Sequence, residues 1–107
     1  SVEQYVLFIQ TPENDSFYTR DQDVVTVTLS LDPKLHENDR IRLYLNNQPY
    51  GNLYNKTIIP LTALPRGTYT LKAEVISKTG KGKPKGGSQT ITFYKQQTII
   101  NRKIAKP

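Results

Sequence analysis

The sequence predicts an all-β fold, an antiparallel sandwich of about seven strands. Apolar and polar residues alternate through residues 23–31 and 68–77, which is the pattern of a strand with one buried face. Turn residues separate such runs about every 8–12 residues, as is typical of sandwiches. No segment keeps apolar residues at the i, i+3, i+4 and i+7 positions of an amphipathic helix for more than a turn.

The first part of the chain predicts two strands and a short edge segment. Residues 4–10 are rich in aromatic and β-branched side chains and form the first strand. Residues 11–15 form a turn, because Pro and Asn-Asp interrupt strand pairing, and residues 16–20 form a short edge segment. The strand at 23–31 ends before Pro33. Its core face carries Val25, Val27, Leu29 and Leu31.

The middle of the chain predicts a second pair of strands. Residues 34–39 form a polar connection, and residues 40–46 form a strand with an alternating pattern. Residues 47–49 form a turn, and residues 50–54 form a short strand at a sheet edge. The core face of the 40–46 strand carries Ile41, Leu43 and Leu45, and its outward face carries Arg40, Arg42 and Tyr44.

A corner follows the strand predicted at residues 56–61. Residues 64–67 read Leu-Pro-Arg-Gly, and the long strand at 68–77 starts directly after them. In many sandwiches the chain crosses between sheets at such a corner, and a Tyr in the incoming strand donates its hydroxyl to the corner backbone. We therefore predict structural roles for Gly67 and Tyr69.

The C-terminal part predicts a hairpin and a tail. By composition, residues 78–87 (KTGKGKPKGG) form a long, mobile hairpin loop. Residues 88–96 form the last strand, with Ile91 and Phe93 facing the core. We predict one domain at residues 1–96 and a flexible basic tail at residues 97–107.

Most of residues 4–96 match the pattern of a known family. The matching residues are Pro12 and Asn14; Val25, Val27 and Leu29; NDRIRLYLN at 38–46; Leu64, Arg66, Gly67, Tyr69, Leu71, Ala73 and Val75; and Ser88, Ile91 and Phe93. They resemble the immunoglobulin-like domains of unknown function in periplasmic and secreted envelope proteins of Gram-negative bacteria. The resemblance implies an immunoglobulin/fibronectin-III-like sandwich and a non-catalytic, secreted or periplasmic module. Two features depart from the pattern: Asn46-Asn47 replaces an acidic-Gly turn, and the 78–87 loop is unusually long and basic.

Charge and composition narrow the function classes. The 107 residues include 15 Lys plus Arg against 9 Asp plus Glu, a formal charge of +6. This balance favours anionic partners, although many small secreted domains are simply basic. Because the chain has no Cys, it has no disulfide, thiolate zinc site or thiol nucleophile. No apolar run approaches the roughly 18 residues of a membrane-spanning helix, and the first ten residues lack signal-peptide features.

The sequence offers little for catalysis or metal binding. His36 is the single histidine and lies in a predicted polar loop beside Glu37, which favours a solvated loop residue over a general base. Asp21 and Asp23 are the nearest approach to a calcium site, but Ca²⁺ takes about six or more oxygen ligands. We therefore predict no enzyme activity, metal, cofactor or small-molecule substrate.

Two surfaces are candidate ligand-binding sites. The loop lysines Lys78, Lys81, Lys83 and Lys85 form a dense positive cluster that attracts anions, or else simply keeps the last hairpin soluble. Arg40, Arg42 and Tyr44 share an outward strand face, with Tyr50 and Tyr54 expected nearby. Arg and Tyr are enriched at binding hot spots, although strands also favour Tyr for packing.

Three functions remain open on the sequence alone. The first is an interaction module that binds a protein or glycan. The second is a binder of acidic lipid, polysaccharide or nucleic acid through the 78–87 loop and the tail residues Arg102, Lys103 and Lys106. The third is a structural spacer within a larger envelope protein. The sequence does not predict the oligomeric state.

Overall fold

The computed structural model describes residues 2–96, and the predicted basic tail lies outside them. This part of the chain is all-β, as predicted, but contains nine strands rather than about seven. The strands are β1 (Val6–Thr11), β2 (Ser16–Tyr18), β3 (Val24–Asp32), β4 (Asp39–Leu45), β5 (Gln48–Tyr54), β6 (Ile58–Thr62), β7 (Gly67–Ser77), β8 (Gly86–Gly87) and β9 (Ile91–Lys95).

The strands form two sheets that pack as a sandwich. The smaller sheet has the order β1-β3-β6, and the larger has the order β2-β9-β7-β4-β5, with β8 beside β7. Neighbouring strands are antiparallel, as predicted, except that β2 and β9 at one edge are parallel. The turn after β1 causes this, because it carries the chain across to the larger sheet. There the Asp15 N–H donates to the Thr92 carbonyl at 2.6 Å, and Asn14 Oδ1 accepts from the Thr92 N–H at 2.9 Å.

The predicted alternation is confirmed on the inner faces of both sheets. The strand β3 buries Val25, Val27 and Leu29, while its intervening side chains stay more exposed. The buried core residues of the other main strands are Leu7 and Ile9; Ile41 and Leu43; Ile59 and Leu61; Tyr69, Leu71, Ala73 and Val75; and Ile91 and Phe93. Period-2 patterning therefore set both the strand identities and their register.

The corner before β7 has the predicted geometry. The Tyr69 hydroxyl donates to the Pro65 carbonyl oxygen four residues earlier, and the Tyr69 ring stacks on Phe93 with centroids 5.2 Å apart. Burial raises the pKa of Tyr69. Gly67 has φ +152°, a conformation that L side chains rarely adopt. This geometry fits the structural roles predicted for Tyr69 and Gly67.

The hairpin between β4 and β5 lies earlier than the predicted turn at 47–49. Asn46 and Asn47 both have positive φ, 53° and 67°, as a two-residue type I′ turn requires. Asn tolerates this conformation because its side chain hydrogen-bonds locally. Gln48 and Pro49 already belong to β5, and Asn46 Oδ1 also accepts from the Thr70 N–H at 2.9 Å.

The end of the predicted 78–87 loop is not a loop but a seam that joins the two sheets. The Lys85 N–H donates to the Val75 carbonyl, and the Lys85 carbonyl accepts from the Tyr5 N–H, both at 2.7 Å. The Gln89 side-chain amide then bonds both the N–H and the carbonyl of Ile9 at 3.0 Å. These contacts cover the outer edge of β1, which would otherwise expose unpaired backbone groups.

We predict that Gly86→Ala destabilises the fold. A Cβ at Gly86 would lie 2.6 Å from the Tyr5 carbonyl oxygen, so β1 and β8 would have to separate. Overpacking of this kind costs about 1–3 kcal/mol. Urea denaturation followed by circular dichroism measures the change in the free energy of unfolding.

Gly87→Ala is the matched control for this change. The nearest atom to a Cβ there is Lys72 Cε at 3.7 Å, an ordinary van der Waals contact. We expect Gly87→Ala to stay within about 0.5 kcal/mol of the wild type. Equal effects of the two substitutions would show that the close approach of Gly86 to β1 does not constrain the fold.

Candidate functional site

The outward face of the larger sheet carries the residues predicted from the 40–46 strand. Arg40, Arg42 and Tyr44 alternate with the buried Ile41 and Leu43, as expected from their spacing. Their partners on β7 are Ile76 for Arg40, Glu74 for Arg42 and Lys72 for Tyr44. The structure therefore places the three predicted residues together on one surface.

The side chains of Arg40 and Tyr44 are held by hydrogen bonds to their neighbours. Arg40 Nη1 donates to the carbonyls of Glu37 and Asp39, both at 2.8 Å. The Tyr44 hydroxyl donates to Glu74 Oε1 at 3.2 Å, and Lys72 Nζ lies 3.9 Å from Glu74 Oε2. Glu74 contributes one negative charge beside Arg40, Arg42 and Lys72, so its carboxylate offsets only part of the positive charge here.

Arg42 connects the sheet face to the lysine-rich loop. It lines a shallow cleft of about 280 Å³ together with residues 49–53 of β5. A methyl group placed on Gly80 would lie 3.9 Å from Arg42 Nη2 and 3.9 Å from Leu53 Cδ1. The turn at Gly80 therefore lies next to Arg42, and the loop and the sheet face form one continuous surface.

Tyr50 lies at this cleft beside Arg42, but the rings of Tyr50 and Tyr54 pack against the core rather than on the outward face. Tyr50 pairs with Leu43, and Tyr54 pairs with Ile41, so both rings point to the core side of the sheet. Both are partly buried against the hydrophobic core. The register of β5, which follows the Asn46-Asn47 turn and shifts between Ile41 and Leu43, accounts for this placement.

The loop lysines Lys78, Lys81 and Lys83 are exposed. The loop that carries them has local backbone order. The Lys78 N–H donates to the Asn38 carbonyl at 2.9 Å, and the Gly80 N–H donates to the Ser77 carbonyl at 2.8 Å. The Lys81 N–H lies 3.3 Å from Thr79 Oγ1. These three ammonium groups therefore extend from a short turn anchored at the end of β7.

Lys85 was predicted to belong with the other three loop lysines, but its ammonium group is engaged inside the fold. Its ammonium forms an ion pair with Asp39 Oδ1 at 2.8 Å and donates to the Val2 carbonyl at 3.1 Å. A side chain committed to an internal carboxylate is not presented to an external anion, so Lys85 is removed from the candidate site.

Asp39 lies at the centre of a buried polar cluster. The sequence placed Asp39 in a polar connection, but its side chain is fully buried at the start of β4. Oδ2 accepts a 2.6 Å hydrogen bond from the Tyr5 hydroxyl, which itself accepts from the His36 N–H at 3.0 Å. Burial alone would raise the pKa of Asp39, but hydrogen bonds from Lys85 and Tyr5 outweigh it and hold that pKa below its ordinary value.

His36 makes a local contact that shapes the backbone around it. The His36 Nδ1 accepts from the Asn38 N–H at 3.1 Å, which shapes the connection before β4. Among residues 2–96, no group of three or more metal-binding side chains is positioned to hold a metal ion. Nor does this part of the chain contain a helix of the length and hydropathy needed to cross a bilayer.

An exposed aromatic pair on the same sheet face was missed by sequence reasoning. Phe17 of β2 stacks on Tyr94 of β9 with ring centroids 5.0 Å apart and an interplanar angle of 23°. Phe17 remains 65% exposed. The Tyr94 hydroxyl lies 3.4 Å from Asp15 Oδ1. Alternation could place Tyr94 outward, but a three-residue strand with a parallel partner gives no sequence pattern that would pair it with Phe17.

The larger sheet thus has two adjacent surfaces on its outward side. We call Arg40, Arg42, Lys72, Lys78, Lys81 and Lys83 the cationic face. We call Phe17, Tyr94, Thr68, Thr70 and Thr92 the aromatic strip, in which Thr68 pairs with Tyr94 and Thr70 pairs with Thr92. Such an arrangement can attract anionic groups at one end and stack rings at the other.

Comparisons with known proteins bear on the fold. No family model and no curated protein matches the chain. Among solved structures, a fibronectin(III)-like module of Clostridium thermocellum CbhA is similar, with a TM-score of 0.66 and 13% identity over 88% of this chain and 99% of that one. The PKD domain of human KIAA0319 has a TM-score of 0.57 and 14% identity over 90% and 84%. The predicted immunoglobulin/fibronectin-III-like sandwich is therefore confirmed as the fold of this chain.

We predict that Asp39→Asn lowers the free energy of unfolding and makes that free energy less sensitive to acidification. Because the pKa of Asp39 is lower in the folded state, its contribution is complete above the unfolded value of about 4 and is lost as pH falls through the folded value. Losing this carboxylate leaves Lys85 without its partner, at a cost of about 3 kcal/mol. Urea denaturation at neutral and acidic pH measures both effects.

Asp32→Asn is the control, because Asp32 is an exposed aspartate at the end of β3. We expect this variant to keep the stability of the wild type within about 0.5 kcal/mol at neutral pH. On acidification it should lose as much stability as the wild type loses. If Asp39→Asn loses as much stability on acidification as Asp32→Asn, the buried pair does not account for the pH dependence.

Proposed function

We propose that this chain is a non-catalytic binding module whose cationic face binds anionic polymers or surfaces. The observation that carries the proposal is the placement of the turn at Gly80 beside Arg42, which joins the lysine loop to the sheet face. Clustered like charges raise the local concentration of an anionic partner and speed its association.

The geometry of the cationic face supports this proposal over a merely solubilising role. Lys85 and the Lys78 backbone fix both ends of the loop, so its cations stay on one side of the sandwich. Arg40 is held in place by two carbonyls. Charges that are already ordered cost less conformational entropy when they bind than charges on a mobile loop.

Three further expectations concern the location of the chain, a spacer role and a protein partner. A secreted or periplasmic location suits a small module that recognises an anionic partner outside the cell. A spacer role within a larger protein is the alternative, and it predicts that neutralising the cationic face has no binding consequence. A protein partner is a further candidate, provided that it presents an acidic surface to Arg42 and the loop lysines.

We predict that the chain binds inorganic polyphosphate and hyaluronate at low salt and that both affinities fall as salt is raised. The attraction is electrostatic and is screened by added ions. Replacing Arg42 by Gln should weaken both affinities by about two- to fivefold, the range for one exposed ion pair. The triple variant Lys78→Gln, Lys81→Gln, Lys83→Gln should weaken them further and flatten the salt dependence. Fluorescence anisotropy with labelled polymers measures each affinity.

Arg66→Gln is the charge-matched control for polyphosphate, because it removes the same charge from an exposed Arg before β7, at the opposite end of that strand from the loop. We expect it to bind polyphosphate within about twofold of the wild type. Hyaluronate is left out of this comparison, because Arg66 lines a cleft with Thr68 and Tyr94 of the aromatic strip. If Arg42→Gln and Arg66→Gln weaken polyphosphate binding equally, net charge rather than the cationic face is responsible. Binding that resists salt, or no binding of either polymer at low salt, would contradict the proposal outright.

A further inference from the structure

We infer that the aromatic strip is a second subsite, which stacks sugar rings and makes the preferred partner an acidic polysaccharide in which neutral and charged sugars alternate. This inference rests on the proposed function of the cationic face and specifies its ligand class. It depends on a surface that the cationic residues do not share, the outward side of β2, β9 and the start of β7.

The aromatic pair is exposed, and its rings are fixed in orientation. Burying an exposed Phe against water is favourable, yet Phe17 stays 65% exposed at the edge strand β2. Tyr94 stacks on its inner side, which fixes the orientation of both rings. The outer face of Phe17 is therefore a rigid apolar surface of the kind on which a planar or sugar ring packs with little loss of side-chain entropy.

The aromatic pair has polar surroundings. Thr68 lies opposite Tyr94, and Thr70 and Thr92 form the adjoining pair on the same outward face. Asp15 contributes a carboxylate near the Tyr94 hydroxyl, 3.4 Å away. Hydroxyl and carboxylate groups around an apolar ring match a sugar, which presents C–H groups on its faces and hydroxyls around its rim.

The strand register sets the distance from the aromatic strip to the cationic face. Tyr94 pairs with Thr68, and Tyr44 pairs with Lys72, four residues further along β7. Four residues of a strand span about 13 Å, and β9 and β4 lie two strand spacings apart, about 10 Å. A chain of several sugars laid diagonally across the sheet therefore runs from the stacked rings to Tyr44 and Lys72, and Arg42 lies on the next outward row.

Sites for single-stranded nucleic acid also combine ring stacking with cationic contacts, so the spacing of ligand charge must distinguish a nucleic acid from a polysaccharide. A nucleic acid carries a phosphate at every nucleotide, so phosphates would lie beside each stacked base. Here the carboxylate of Asp15, 3.4 Å from the Tyr94 hydroxyl, repels a phosphate on its side of the aromatic pair, and Arg66 lines the cleft on the β7 side with Thr68 and Tyr94. An alternating polysaccharide places a neutral ring on Phe17 and directs its carboxylates to the cationic face.

The test compares Phe17→Ala with Phe8→Ala on three labelled probes: hyaluronate, inorganic polyphosphate and oligothymidylate. Phe8 is a matched control, because it is 52% exposed but lies on the outward face of the smaller sheet, on β1. We expect Phe17→Ala to weaken hyaluronate binding by about tenfold, the loss typical of one stacking contact. Polyphosphate has no ring, so its affinity should not change in either variant.

The outcomes separate this inference from the proposed function. If Arg42→Gln weakens hyaluronate binding while Phe17→Ala and Phe8→Ala behave alike, the sugar subsite is wrong and the cationic face stands. If Phe17→Ala weakens oligothymidylate at least as much as hyaluronate, the strip stacks bases and the polysaccharide assignment is overturned. If neither hyaluronate nor polyphosphate binds the wild type at low salt, the proposed function fails and takes this inference with it. Matching circular dichroism spectra confirm that each variant is folded.

Discussion

The buried carboxylate of Asp39 is the constraint on which the rest of the structure depends. A charge without water must find partners, and each of its oxygens has one, Lys85 Nζ at 2.8 Å and the Tyr5 hydroxyl at 2.6 Å. The three residues come from the N-terminal segment, the start of β4 and the end of the loop. Satisfying one carboxylate therefore fixes three distant segments relative to one another, and β1 is held against the seam that covers its edge.

The same pair determines how the loop presents its charge. With Lys85 committed to Asp39, and the Lys78 N–H bonded to the Asn38 carbonyl, the chain between them is a short closure with two anchored ends. Its lysines cannot spread around the molecule, and Gly80 keeps the turn beside Arg42. Lys85, which the sequence groups with the other loop lysines, thus anchors the loop, and the placement of the loop backbone is a consequence of the fold.

How far the sequence predicted this arrangement depends on the range of the interactions involved. Alternation within β3, β4 and β7 is local, so the strands, their inward faces and the Tyr69 corner were predictable from residue spacing. The roles of Asp39 and Lys85 were not, because these residues lie 46 positions apart and each stands among similar polar neighbours. The stacking of Phe17 on Tyr94 was not predicted for the same reason, because the parallel pairing of β2 with β9 has no short sequence pattern.

If the outward face binds ligands as proposed, its selectivity follows from what it repels as well as from what it attracts. A uniform polyanion satisfies the cations but gains nothing from Phe17 and places charge near Asp15. A neutral glycan stacks on Phe17 but leaves Arg42 and the loop lysines without a partner. Only a ligand with both rings and spaced charges uses both surfaces at once, and the two contributions then act within one binding event, since a single chain links them. Under the proposed function, the discrimination between anionic ligands thus depends on the aromatic strip, while the cationic face supplies their shared attraction.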